Sequence, residues 1–332
     1  MPFRSVRHDQ SELVAQVASL LNAAWAVDDP YLERRTPAEQ ALSMEFGWDL
    51  EPADTFLYAA DDGAEPVGVM TCHGPRRDNL HLFTVDVTVH PDQRRRGYGS
   101  IMLEEGLRLA AAANRNTVWV FTREADPAGD ALAGKHGFAQ SSRDARRVQR
   151  LADVDTEAVE ELWQRALSKS GDYRLERLTG ADSPDEVLTE LIAVTASIND
   201  APMGELTWEP ELFDLQRLKD FQTAARGRGD RVYRVLARHT GSGEVGGHTV
   251  MFVNDFHPTR AAQADTAVHS EHRGHRLGAL LKIDMMRWLA QIEPQAVEVE
   301  TWNNVDNDHM ISINEQIGYR LNGVFVDWER KL

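Results

Sequence analysis

Cysteine is almost absent from this chain of 332 residues, which contains Cys72 and no other. One thiol cannot form an internal disulfide or, alone, a thiolate zinc site, so disulfide-stabilised and zinc-finger folds are excluded. Long apolar runs are lacking as well. No stretch reaches the roughly 20 apolar residues of a membrane span, and the first eight residues lack the apolar segment of a secretory signal. We therefore expect no membrane partner and a cytoplasmic location.

Basic residues are outnumbered, because 36 Lys and Arg against 53 Asp and Glu leave a formal net charge of -17. A field of this sign repels a phosphate backbone, so we expect no nucleic-acid partner. It would favour a cationic small molecule such as an amine, although solubility alone also explains an acidic total. The 42% apolar and 27% charged content is that of a globular protein. The length suits two domains of ordinary size.

The chain contains an internal repeat, in which residues 85–99 align without a gap on residues 264–278. Both segments carry an Asp, a Val-His pair, an acid, an Arg and a Gly at the same positions. Their separation is too long for a solenoid repeat and fits a duplicated domain. We predict an N-terminal domain over residues 1–152, a connecting helix and linker over 153–171, and a C-terminal domain over 172–332.

The hydrophobic pattern around the repeat also occurs twice, in the order β-α-α-β-β-β-α-β-α-β. Runs rich in apolar and β-branched residues predict the strands, helical periodicity predicts the helices, and Gly and Asp clusters mark the turns. The last strand of each copy is predicted at residues 138–149 and 319–328. The predicted fold class is α+β (mixed α/β).

Arginine and glycine concentrate in the turn between the fourth predicted strand and the next helix. In the first copy this turn consists of Arg94, Arg95, Arg96, Gly97, Tyr98, Gly99 and Ser100. Glycines let successive backbone N–H groups face one point, and a helix N-terminus and arginine side chains both favour a polyanion there. A solvated charged turn would show the same residues, but the duplication and the strand-turn-helix context favour a phosphate site.

Two other phosphate-binding motifs are absent from the sequence, namely the glycine fingerprint of dinucleotide-binding folds and the Gly-x-x-x-x-Gly-Lys-Ser/Thr loop. The turn instead resembles the GNAT acetyltransferase superfamily, whose motif is Gln/Arg-x-x-Gly-x-Gly/Ala between the fourth strand and the third helix. Arg94, Gly97 and Gly99 fit it. The resemblance covers nearly the whole chain in two copies, similar in layout to mycothiol-synthase-like acyltransferases. It implies two tandem GNAT (acyl-CoA N-acyltransferase) folds, each a twisted, mostly antiparallel mixed sheet flanked by helices.

The resemblance implies acetyl-CoA as co-substrate, no metal, and acetyl transfer to a primary amine of a small molecule by direct attack on the thioester. Proximity would supply much of the rate, and a backbone N–H of the fourth strand would stabilise the oxyanion. In the first copy, the implied cofactor-binding residues are Val87, Thr88, Val89, Arg94, Arg95, Arg96, Gly97, Tyr98, Gly99 and Ser100. In the second copy they are Val268, Arg273, Gly274, Arg276, Leu277, Gly278 and Ala279, with Asn307 and Asn314 from a downstream motif.

Each copy departs from the family pattern in a different place. Arg276 stands where the family has its first glycine, which puts close approach of the cofactor in doubt, although Gly274 lies nearby. The downstream motif is better kept in the second copy. Neither copy has the tyrosine that often protonates the leaving thiolate, since Ala133 and Asn314 occupy its positions. A non-catalytic acyl-CoA-binding or sensor protein with degenerate GNAT domains is therefore the alternative function.

Asp86 and Asp265 occupy equivalent points on the two predicted fourth strands and are the candidate catalytic residues. A carboxylate there could take the proton of the amine, directly or through water. A strand carboxylate that faces solvent or pairs with an arginine is equally compatible with the pattern. His269, His272 and His275 recur every third residue, but the arginines among them disfavour a metal site. The acceptor, the active copy, the acyl-chain length and the oligomeric state remain open.

Overall fold

The computed structural model describes residues 2–61, 63–124, 126–180 and 182–332. The chain divides into two compact units. The first unit contains Met1–Ser142, Leu206–Glu209 and Val326–Leu332, and the second contains Arg143–Glu205 and Pro210–Phe325. None of the helices in the described ranges is long and apolar enough to cross a membrane.

The first unit is built on a sheet with the strand order β1-β2-β3-β4-β5, with the last strand of the chain, β12, beside β5. From β1 to β4, neighbouring strands are antiparallel, whereas β4 and β5 run parallel. Apolar side chains of α1 and α2 cover one face and those of α3 the other. The elements are β1 (Phe3–Val6), α1 (Ser11–Asp28), α2 (Pro37–Phe46), β2 (Asp54–Ala59), β3 (Pro66–His73), β4 (Leu82–Val89), α3 (Tyr98–Ala112), β5 (Thr117–Arg123) and α4 (Pro127–Lys135).

The second unit repeats this plan in the strand order β6-β11-β10-β9-β8-β7, with β10 and β11 parallel. Helices α5 and α8 cover one face, and α6 and α7 cover the other. From residue 139 onward, the elements in chain order are β6 (Ala139–Arg150), α5 (Thr156–Leu167), β7 (Tyr173–Thr179), α6 (Asp185–Ala196), α7 (Leu215–Gly227), β8 (Asp230–His239), β9 (Val245–Asn254), β10 (Arg260–Val268), α8 (Leu277–Ile292), β11 (Glu298–Asn304), α9 (Asp308–Gln316) and β12 (Arg320–Lys331). The predicted fold class is confirmed.

The two copies exchange their last strands, which the repeat in the sequence does not predict. β6 follows the first copy in the chain, yet its Arg147 lies opposite Thr301 of β11 in the second unit. The end of β12 belongs instead to the first unit, where the Nε1 atom of Trp328 donates to the Oγ1 atom of Thr122 at 2.8 Å. The domain limits predicted from the sequence, at 1–152, 153–171 and 172–332, stay a prediction.

A four-residue segment between α6 and α7 in the sequence also packs in the first unit. There, the backbone N–H and the hydroxyl of Thr207 donate to Glu329 at 2.8 and 2.6 Å. The ring of Trp208 stacks on Trp119 with 5.5 Å between centroids. Trp119 in turn donates its Nε1 proton to Glu329 at 3.0 Å. Glu329 is thus the centre of a polar cluster that holds residues 206–209 to β5 and β12.

Candidate active site

Each unit contains a pair of central parallel strands that separate part-way along. Pairing of β4 with β5 covers residues 82–84 of β4, whereas β4 continues to Val89. Pairing of β10 with β11 covers residues 260–263, whereas β10 continues to Val268. Within the described ranges, the neighbouring parallel strand offers no backbone partner to these second halves. Main-chain N–H and C=O groups therefore border a cleft in each unit and are available to a ligand.

The residues predicted to hold the pantetheine lie on these separated strand halves. Val87, Thr88 and Val89 are half-buried residues of β4, and Val268 has the equivalent place in β10. The structure brings them to the cleft, and their contact with a cofactor stays a prediction.

The turn from β4 into α3 leaves an open space at the start of the helix. It passes through the left-handed region twice, with φ of 64° at Arg95 and 87° at Gly97, and α3 then begins at Tyr98. A Cβ atom on Gly97 would meet none of the described atoms within 4 Å. The first N–H groups of α3 have no intrahelical partners and face this space, which is the geometry that accepts a phosphate.

The turn of the second unit has the same backbone shape with its glycine and arginine interchanged. Gly274 has a φ of 88° and Arg276 a φ of 55°, directly before α8 begins at Leu277. These are the positions of Arg95 and Gly97 in the first unit. The arginine that departs from the family motif is therefore accommodated by the backbone, at the cost of a left-handed non-glycine residue.

The first arginine of each turn forms hydrogen bonds and an ion pair with other residues of the protein. Arg94 donates from Nε to the carbonyl of Val89 at 3.1 Å, and its Nη atoms lie 2.7 and 2.5 Å from the carboxylate oxygens of Asp28. Its hydrogen bonds to that carboxylate raise the pKa of Arg94. Arg273 makes the equivalent bond to the last carbonyl of β10 at 3.2 Å and pairs with Asp200. Both side chains hold their turn to the preceding strand and to an acidic residue.

Basic side chains from the end of α4 surround Ser100 in the first turn of α3. The Nζ atom of Lys135 donates to the Oγ atom of Ser100 at 3.0 Å, and the Nε2 atom of His136 lies 3.1 Å from the same oxygen. Arg95 and Arg96 are exposed beside them. Sequence analysis missed Lys135 and His136, whose one signal was their position just ahead of the helix-ending Gly137. The first unit thus carries Arg95 and Arg96 in its open turn and Lys135 next to the first turn of α3.

The corresponding side chains of the second unit are mostly turned inward. Leu277, Gly278 and Ala279 are buried, so these residues can offer a ligand only their backbone. The Oδ1 atom of Asn307 caps α9 by accepting from the N–H of Met310 at 3.2 Å. Asn314 is fully buried and donates to the Oδ1 atom of Asn303 at 2.7 Å. The predicted roles of these residues in binding a cofactor stay predictions.

The candidate catalytic residue Asp86 lies on the wall of the cleft in the first unit. It is opposite Thr71 of β3, on the face of the sheet that α1 and α2 cover. Its side chain reaches solvent, and yet desolvation raises its pKa. A carboxyl that is both accessible and surrounded by protein is a side chain in a concave site. A raised pKa also makes a carboxylate a stronger base, which suits proton transfer.

The second unit carries its candidate Asp265 among buried ionisable groups that sequence analysis did not single out. Asp265 is half-buried, and desolvation raises its pKa while Arg234 opposes that shift. Burial lowers the pKa of Arg234 to about 10 and that of His248 to about 3. On the opposite face, burial lowers the pKa of Lys282 to about 7. Charged or polar residues inside apolar strand and helix runs were the available sequence signal.

Comparison with known proteins agrees with this geometry. Residues 17–138 match the family model described as Acetyltransferase (GNAT) family. A mycothiol acetyltransferase of Saccharomonospora viridis is 27% identical over 254 residues, covering 74% of this chain and 73% of the relative.

Two solved structures extend the similarity to the whole chain. A tandem GNAT protein from the clavulanic acid biosynthesis pathway is 26% identical, with a TM-score of 0.81 and coverage of 99% of this chain and 98% of that one. A GCN5-related N-acetyltransferase of Sphaerobacter thermophilus, 17% identical with a TM-score of 0.67 and coverage of 99% and 96%, shares the fold. The resemblance found in the sequence is confirmed. The chain has two GNAT folds in tandem, and its similarity to the GNAT family model, to the mycothiol acetyltransferase and to the tandem GNAT protein supports an acyltransferase.

Proposed function

We propose that the protein is an acetyl-CoA-dependent N-acetyltransferase that moves the acetyl group to a primary amine of a small molecule, with acetyl-CoA held at least in the first unit. The observation that carries the proposal is the open turn at Gly97, where unpaired N–H groups of a helix start face a space bordered by Arg95, Arg96 and Lys135. A pyrophosphate needs this combination of N–H donors, helix dipole and positive charge.

The residues present fit the co-substrate. Acetyl-CoA supplies the activated thioester carbonyl. The N–H groups of residues 98–100 would hold its phosphates, and the main-chain edge of β4 at residues 85–88, beyond its pairing with β5, would orient the pantetheine amides and the carbonyl. Arg94 is a positioning residue, because it fixes the turn to the end of β4.

Asp86 would accept the proton that the attacking amine loses, directly or through water. Its raised pKa and its place on the cleft wall both suit this role. Ala133 is buried where the family often has tyrosine, so the departing thiolate would take its proton from solvent in the cleft.

Calorimetric titration with acetyl-CoA tests the proposal. Gly97→Glu should abolish binding at the first unit, since it places a side chain and a negative charge in the phosphate space. Gly243→Glu is the matched control, because Gly243 also has a positive φ of 80° and an open surrounding, but lies in the turn between β8 and β9. Absence of acetyl-CoA binding by the wild-type protein, or equal loss in both variants, would refute the proposal.

The alternative is a non-catalytic acyl-CoA-binding or sensor protein. The observation that favours it is the replacement of the tyrosine by Ala133 and Asn314, both buried. Thiol release measured across a panel of primary amines separates the two functions. Acetyl-CoA binding with no release above hydrolysis supports the sensor, whereas amine-dependent release that Asp86→Asn removes supports the enzyme.

A further inference from the structure

Arg234, His248 and Asp265 form a polar cluster on one face of the sheet of the second unit, called here the Arg-His-Asp cluster. Arg234 lies opposite Val250, and His248 precedes Val250 by two residues, so all three point to the same face. Asp265 adjoins Thr266, whose hydroxyl meets Thr249 at 2.7 Å on the other face. Asp265 therefore points to the face of Arg234 and His248.

Arg234 and His248 are buried, and three of their nitrogen atoms have no hydrogen-bond partner among the described residues. Arg234 is 4% exposed and His248 is fully buried. The Nε atom of Arg234 and both ring nitrogens of His248 make no hydrogen bond with any described residue. Asp265 interacts with Arg234 through space, but no described residue forms a hydrogen bond or ion pair with it. Buried polar groups in native proteins are nearly always paired, so such a set indicates a ligand.

Helices α6 and α7 cover the face of the sheet that carries the cluster. Helix α6 packs against β9 and β10, and α7 packs against β8. Phe221 of α7 places its ring centroid 5.7 Å from the guanidinium carbon of Arg234. Exposure decreases from the half-buried Asp265 to Arg234 and then to His248, so a ligand that enters from the cleft meets the carboxyl first and the guanidinium deeper inside.

The fold does not require these residues. In the first unit, the equivalent line across the sheet runs from Thr55 through Thr71 to Asp86. A threonine thus replaces Arg234, and Val69 stands two residues before Thr71 where the second unit has His248. Only the aspartate is common to both units. Arg234 and His248 are therefore additions of the second unit, and the two units differ in what they can bind on this face.

We propose that the second unit binds a small amine that also carries a carboxylate, with the amine at Asp265 and the carboxylate at Arg234. A guanidinium binds a carboxylate through two parallel hydrogen bonds, and both groups gain strength where water is excluded. His248 is neutral and contributes a hydrogen bond but no charge. Arg234 supplies one positive charge beside Asp265, which matches a singly charged carboxylate better than a doubly charged phosphate. The inference deepens the proposed function by naming the class of acceptor. It rests on that function, because the ligand is the acetyl acceptor only if the protein is an N-acetyltransferase.

Binding of paired probes tests the proposal. Phenylalanine is compared with phenethylamine, lysine with cadaverine, and β-alanine with ethanolamine and O-phosphoethanolamine, by calorimetry with and without acetyl-CoA. In at least one pair, the carboxylate-bearing member should bind at least about tenfold more tightly than the amine without it, as expected for one charge-assisted pair. Arg234→Met should reduce that ratio to about one. Arg174→Met is the control, because it removes the same charge from an exposed position of β7 in the same unit.

Several results would overturn the proposal. The first is that the carboxylate-bearing member binds no more tightly than its partner in any pair, or that no probe binds at all. The second is that the preference for the carboxylate remains in Arg234→Met. The third is that O-phosphoethanolamine binds more tightly than β-alanine. Arg234→Lys keeps the charge and should retain part of the preference, which guards against a folding defect in the methionine variant. If acetyl-CoA does not bind but the carboxylate preference depends on Arg234, the proposed function fails while this site stands.

Discussion

Replacing Glu329 by glutamine should destabilise the first unit by an amount that depends on pH. Burial raises the pKa of Glu329, but hydrogen bonds from Thr207, Lys331 and Trp119 outweigh this effect and bring it from an ordinary 4.5 to about 2. Each pKa unit is worth about 1.4 kcal/mol, so the ionised form contributes roughly 3 kcal/mol at neutral pH. The side chain is 10% exposed, so solvent screens little of this contribution.

The sign follows from the lowered pKa. Because the folded protein holds the carboxylate ionised, this stabilisation is complete above pH 4.5 and disappears as the pH falls toward 2. Unfolding by denaturant, followed by tryptophan fluorescence, measures the difference between wild type and Glu329→Gln at several pH values. Trp119 is a local reporter, since it donates to Glu329 and stacks on Trp208. The difference should be on the order of 3 kcal/mol at pH 7 and close to zero at pH 2.

Glu105→Gln supplies the control for this experiment. Its partner Arg108 is 63% exposed, so this surface ion pair should contribute less than about 1 kcal/mol. A difference for Glu329→Gln that stays constant from pH 7 to pH 2, or that is no larger than that of the control, would refute the role assigned to the polar cluster around Glu329.

Three further predictions concern the turns, the cleft and the helix packing. Arg276→Gly should raise the free energy of unfolding by about 1 kcal/mol, as measured by thermal or denaturant unfolding. A non-glycine residue in the left-handed region costs roughly 1–2 kcal/mol, and part of this gain is lost because glycine increases the entropy of the unfolded chain. Asp86→Asn should lower amine-dependent thiol release by about 10²- to 10⁴-fold and leave the affinity for acetyl-CoA unchanged. In the wild type, thiol release should rise with pH through the raised pKa of Asp86, since the carboxyl acts as a base only when it is deprotonated. Gly106→Ala should destabilise by about 1–3 kcal/mol, because its Cβ would lie 2.5 Å from Val85, whereas Gly134→Ala, also helical but open, should stabilise by up to about 1 kcal/mol.

The order and type of the elements could be predicted from local pattern because they depend on periodicity and turn chemistry. The turn motif was equally legible, since Arg94, Gly97 and Gly99 lie within six residues of chain. The pattern could not show that Arg94 forms an ion pair within the protein, because its partner Asp28 is far away in sequence at the end of α1. Nor could it show that Gly274 and Arg276 reproduce the backbone of Arg95 and Gly97, which depends on φ angles and not on residue identity.

The sequence by itself determined a duplicated mixed α/β architecture and predicted two anion-binding turns, because both depend on residues that are near one another in the chain. Tertiary structure decided which sheet each last strand joins. β6 and β12 are both twelve-residue strands at equivalent points of the repeat, so local propensity does not distinguish their partners. It also decided that Arg234, His248 and Asp265 share one buried face. That burial depends on the register in which three strands pair and on the helices that cover them, and no single stretch of sequence specifies either.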